Sequence, residues 1–187
     1  VQVFATFGFT PNNKIEHLVE WESQYVDKGI KHKFYSSIPG ILIEHVPNRI
    51  DLIRNRFDEN VAVHGTLRSK NLDLLFNSEH WELNKLASDL LFKLKSGNHL
   101  WVAKRHLSIS SFTNFVEHVL NNEETEFHYG QASLVIRFII ENTPNRMDLA
   151  NKALQKLIGN GKSSKRIDQA QRLAKEFQID FKYNSPQ

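Results

Sequence analysis

Apolar and polar residues alternate over 1–9, where Val1, Val3, Ala5, Phe7 and Phe9 share one face, and this period of two predicts a strand. Over 14–28 the apolar residues Ile15, Leu18, Val19 and Tyr25 recur at helical spacing, and Gly29 closes the run. Residues 30–35 and 40–46 read as strands around the turn-rich stretch 36–40. A helix is expected over 48–57 and a strand over 61–67. Strand, helix, strand, strand, helix, strand is the order of the split βαβ, or ferredoxin-like, arrangement.

The same order is expected again further along. Residues 100–109 read as a strand, 112–120 as a helix, and 126–129 with 132–140 as a hairpin around Gly130. A helix over 145–158, an extra helix over 164–177 and a last strand over 179–183 follow. Residues 72–94, through HWELNKLASDLLFKL, read as mostly helical. The expected fold class is therefore α+β: two tandem ferredoxin-like (βαββαβ) repeats with antiparallel sheets, joined by a helical linker. The first repeat would take 1–68, the linker 69–98, and the second repeat with its extra helix 99–187.

An internal repeat supports the duplication. Residues 43–52 read IEHVPNRIDL and residues 140–149 read IENTPNRMDL. Ile, Glu, Pro, Asn, Arg, Asp and Leu are identical in register, and both windows follow an apolar run. Upstream, Phe9-Thr10 and Phe112-Thr113 each open a segment leading to Glu-His and further apolar residues. Proline removes a donor and restricts the residue before it, so it ends a regular element. Asn48 and Asn145 are then expected N-caps, with Asp51 and Asp148 favourable in the first helical turn. Arg49 and Arg146 become equivalent candidate anion contacts at two helix starts.

Composition narrows the classes. The chain has 187 residues, 40% of them hydrophobic and 24% charged, which is ordinary for a globular protein. With no cysteine, disulfides and thiolate metal sites are excluded. No apolar run is long enough to span a bilayer and no signal-peptide pattern opens the chain, so an intracellular protein without a membrane partner is expected. The first residue is Val, consistent with a piece of a larger chain. A net charge of +3 and a pI near 9.1 allow RNA, DNA or protein as partners.

Candidate chemistry rests on two histidines. His64-Gly65-Thr66 and His106-Leu107-Ser108 both read His-x-Thr/Ser on expected strands, where alternation puts His and hydroxyl on one face. His64 and His106 would act as base and acid, with Thr66 and Ser108 holding a phosphate and no metal needed. This pair of tetrapeptides resembles that of the 2H phosphoesterases, which handle cyclic or 2′–5′ phosphodiester ends of RNA. The resemblance covers those residues alone, and the place of each His within its repeat departs from the family. Metal-ligand spacings are missing, and Gly159 to Ser164 lacks the first glycine and the preceding strand of a phosphate loop. No cofactor is expected.

Basic residues form the second group of candidates. Lys104 and Arg105 fall on an expected strand, and Lys162, Lys165 and Arg166 on a loop entering a helix. Phe4, Tyr35 and Trp101 are aromatic groups on which bases would stack from a sheet, although the RNP1 pattern is missing. Together with Arg49 and Arg146 these residues favour a nucleic-acid-binding module, RNA before DNA. The alternatives are a protein-interaction domain of a larger chain and the metal-independent phosphodiesterase.

Overall fold

The computed structural model describes residues 38–45, 47–64, 67–94, 96–159 and 163–181. The strands expected over 1–9 and 30–35 and the helix over 14–28 lie outside the described residues. The described chain is helical and, among the described residues, contains no strand. The α+β, ferredoxin-like expectation is thus corrected. Residues 40–45, 61–64, 100–106 and 132–140, all within stretches expected as strands, are helical instead.

The helices are α1 (Ile38–His45), α2 (Ile50–His64), α3 (Ser69–Phe76), α4 (Trp81–Leu94), α5 (Leu100–His106), α6 (Ile109–Leu120), α7 (Tyr129–Asn142), α8 (Met147–Ile158) and α9 (Ser164–Glu176). Short 3-10 turns at Gly97–His99 and Pro144–Arg146 lead into α5 and α8. The chain divides into two compact units, 1–87 and 88–187.

In the first unit α1 packs on α2 and α3. Leu42 and Ile43 are buried on α1, and Leu72 and Leu75 on α3. Along α2, Ile53, Arg56, Phe57 and Asn60 are buried. Their i, i+3, i+4, i+7 spacing is that of a helix with one apolar stripe. Two of these four are polar and both are satisfied. Arg56 donates to Glu59 at 2.8 Å, and the Asn60 amide donates to the Arg56 carbonyl at 2.9 Å. The Asn84 side chain caps the end of α3, donating to the carbonyls of Leu75, Phe76 and Ser78 at 2.9, 3.2 and 3.0 Å.

In the second unit α8 packs against α7, α9 and α6. Its buried residues Leu149, Ala150, Ala153, Leu154, Leu157 and Ile158 follow the helical period. Phe112 of α6 meets Phe138 of α7 edge to face, with centroids 4.5 Å apart. Such a pair adds about 0.5–1.5 kcal/mol to the area it buries. His118, in the last turn of α6, bonds through Nε2 to the Phe92 carbonyl at 2.7 Å. The loop 121–128 is held to α8 by several bonds: the Phe127 amide donates to the Lys156 carbonyl at 3.0 Å, Lys156 Nζ donates to the carbonyls of Asn122 at 2.7 Å and Glu123 at 3.4 Å, and Lys152 Nζ donates to Asn121 at 3.3 Å.

The end of α9 shows why no regular strand starts at Ile179. Gln178 takes a left-handed φ of 54°. The Ile179 amide returns to the Ala174 carbonyl at 2.8 Å and the Gln178 amide to Lys175 at 3.3 Å. That pair of bonds is the Schellman closure of a helix. Ile179 is buried as the cap's apolar anchor, and residues 179–181 follow without strand pairing.

Candidate functional site

The two copies of the repeated motif occupy equivalent places in the chain. In each, Pro-Asn-Arg joins the end of one helix to the start of the next: α1 to α2 in the first, α7 to α8 in the second. Each arginine also reaches the aspartate two residues on. Arg49 Nε donates to Asp51 at 3.3 Å, and Arg146 Nε donates to Asp148 at 3.3 Å. Arg146 further donates to Glu117 of α6 at 3.2 Å. The capping expectation needs correction here. Asn145 lies inside the 3-10 turn, and Arg146 occupies the N-cap of α8 without a side-chain cap bond. The hydrogen bond from Arg49 holds the Asp51 carboxyl below its ordinary pKa. Bonding to Asp148, with Glu117 beside it, raises that of the Arg146 guanidinium. Both arginines engage carboxylates and so hold the helix junctions.

The two candidate histidines end helices where strands were expected. His64 is the last residue of α2, in the first unit, and Thr66 lies outside the described residues. His106 ends α5, in the second unit, and Ser108 is the N-cap of α6, where its Oγ accepts from the Ser111 amide at 3.2 Å. At His106 and Ser108 the strand alternation that would aim imidazole and hydroxyl at one face does not occur. Among the described residues no cluster of three metal-ligating side chains exists.

Of the basic candidates, Lys162 lies outside the described residues and Lys165 is exposed in the first turn of α9. Arg166 donates to Glu126 at 2.6 Å. Lys104 and Arg105 are exposed in the last turn of α5. Helix α5 turns Leu100, Val102 and Ala103 inward, so Trp101, Lys104 and Arg105, at i, i+3 and i+4, share its outer face.

That outer face is the best-formed candidate surface. Trp101 is 43% exposed, although large aromatic residues are usually more fully covered. Its indole stacks on the His128 imidazole, with centroids 5.7 Å apart and planes 19° from parallel. Ile109, the first residue of α6, is 55% exposed. Exposed Ser108 and Ser110 flank it, their hydroxyls 3.2 Å apart. A stretch of ten residues, 101–110, therefore presents two large apolar side chains, two cations and a hydroxyl cluster. His106, between them, is half-buried. Sequence reasoning placed Lys104, Arg105, His106 and Ser108 here, and counted Trp101 among stacking groups, but missed Ile109 and His128.

Just before α5 lies a different kind of group. His99 is 1% exposed, and neither ring nitrogen has a hydrogen-bond partner. Burial pushes its pKa down, so the ring is neutral at pH 7.

Comparison with protein-family models, with curated proteins and with solved structures gives no match for this chain. No helix among the described residues is long and apolar enough to cross a membrane.

Proposed function

We propose that the chain is a helical protein-interaction module that docks an acidic partner segment on the outer face of α5 and the start of α6. The observation that carries this reading is the exposure of Trp101 with Lys104 and Arg105 on one face of α5, followed at the start of α6 by exposed Ile109. Tryptophan and arginine are the residue types that most often anchor protein interfaces, because each combines large contact area with a polar handle. The stack on His128 fixes the indole before any partner arrives, which lowers the ordering cost of binding. The neighbouring cations select for carboxylates and speed encounter. The sheet expected to carry stacking aromatics is replaced, among the described residues, by helices.

The test is an amide-resonance titration with three probes: a synthetic acidic peptide carrying Leu and Phe, its charge-reversed lysine counterpart, and a short single-stranded oligonucleotide. The acidic peptide is expected to shift resonances of 101–111 and 128, and Trp101→Ala or the pair Lys104→Glu and Arg105→Glu is expected to abolish the shifts. Tighter binding of the oligonucleotide, or of the lysine peptide, or shifts confined to other residues, would overturn the proposal.

A further inference from the structure

We infer that His128 is a proton-sensitive peg beneath Trp101, coupling the charge of the candidate docking surface to the start of α7. His128 is the N-cap of α7 and forms a reciprocal box with Gln131. Its backbone amide donates to Gln131 Oε1 at 2.8 Å, while its Nδ1 accepts from the Gln131 amide at 3.4 Å. An imidazole nitrogen accepts only when it is unprotonated. The bond therefore requires the neutral ring, with any hydrogen on Nε2. Protonation places an N–H against the Gln131 N–H and breaks that bond, leaving the amide its backbone bond to the His128 carbonyl at 3.1 Å.

The same proton changes the other face of the ring. Beneath the indole, a neutral stack becomes a cation–π contact, which holds Trp101 and adds a third positive charge to a face already bearing Lys104 and Arg105. Helix α5 faces the imidazole with the Trp101 indole, and Gln131 faces it from α7. The adjacent titratable groups in the chain are Tyr129 and Glu126, and Glu126 is engaged by Arg166. Gln131 is buried, so losing one of its amide's two acceptors is felt inside the unit.

The consequence for docking rests on the function proposed above, whereas the device itself is testable without a partner. The experiment is a pH series of amide and indole correlation spectra on the full chain. The three tryptophans each give one indole signal, and Trp101→Phe identifies the relevant one. In the parent protein the Trp101 indole and the Gln131 amide are expected to move together along the series. In His128→Asn, which keeps a good capping side chain but cannot titrate, both signals are expected to stay still. Immobile signals in the parent, or an unchanged titration in His128→Asn, would overturn the inference. If the signals titrate as expected and the acidic peptide binds at no pH, the docking reading fails and the peg stands. If the peptide binds, its affinity is expected to rise about two- to fivefold on acidification in the parent and not in His128→Asn.

Discussion

Arg146 donates to Glu117 across 3.2 Å, and through that bond the junction between α7 and α8 is tied to α6. The same arginine holds Asp148 in the first turn of its own helix. Both partners are partly exposed, so solvent and salt weaken the attraction. A double-mutant cycle with Glu117→Gln and Arg146→Gln is expected to give a small favourable coupling in low salt. Raising NaCl to about 1 M should bring the coupling close to zero. A coupling that persists in high salt would mean that the bond acts through packing.

Core positions should respond on a different scale. Phe112 and Phe115 are fully buried on α6, and Phe112 is edge-on to Phe138. Phe112→Ala is expected to cost about 3–5 kcal/mol in urea unfolding, through lost burial and the cavity left behind. Ile109→Ala, three residues earlier and exposed, is expected to stay within about 0.5 kcal/mol. Comparable losses at the two positions would show that Ile109 is covered in solution.

The contrast between these positions also explains what the sequence could reveal. The patterns over 112–120, 145–158 and 164–177 carry helical spacing and match α6, α8 and α9 closely. The apolar run LVIRFII was ambiguous, because a short stretch rich in β-branched residues fits a buried strand as well as a buried helix. Its helical register lies in Gln131, Val135 and Phe138 with Ala132, Ile136 and Ile139, all buried on α7. A glycine at the second position of α7 looked like a hairpin turn because its cap is a histidine, a residue with little capping signature of its own. Pro-Asn-Arg was correctly seen as punctuation, but proline stops helices and strands alike and does not say which it follows. Trp101 could be placed beside Lys104 and Arg105 only once α5 was known to be helical. On a strand, Trp101 and Lys104 would point to opposite faces.

His99 gives the unit a pH dependence whose sign is set by burial. Its folded pKa lies below the ordinary value, so on acidification the unfolded chain takes up the proton first. The stabilising contribution of the neutral ring is complete above about pH 6.5 and is lost as pH falls below it. The slope has an upper limit of about 1.4 kcal/mol per pH unit for one proton. His99→Leu should flatten the stability profile between about pH 7 and 5, and by removing two unsatisfied nitrogens it should leave the protein no less stable at pH 7. An unchanged profile in His99→Leu would place the titration elsewhere.

Two backbone positions should shift stability in opposite directions. Gly159 ends α8 with φ at 65°, and a Cβ there would lie 2.6 Å from Glu126 Oε1 and 2.8 Å from an Arg166 guanidinium nitrogen. Gly159→Ala is expected to cost about 1–3 kcal/mol, because it both strains the backbone and pushes into that ion pair. At Gln178 the left-handed conformation is already occupied by a residue with a Cβ, as the C′ position of the Schellman closure of α9. Glycine relieves that strain, so Gln178→Gly is expected to stabilise by about 1 kcal/mol, less the entropy that glycine adds to the unfolded chain. Urea midpoints at constant m-value would measure both. A stabilising Gly159→Ala would mean that the end of α8 relaxes away from the Glu126–Arg166 pair. A destabilising Gln178→Gly would mean that the Gln178 side chain contributes more to the closure of α9 than its backbone strain removes.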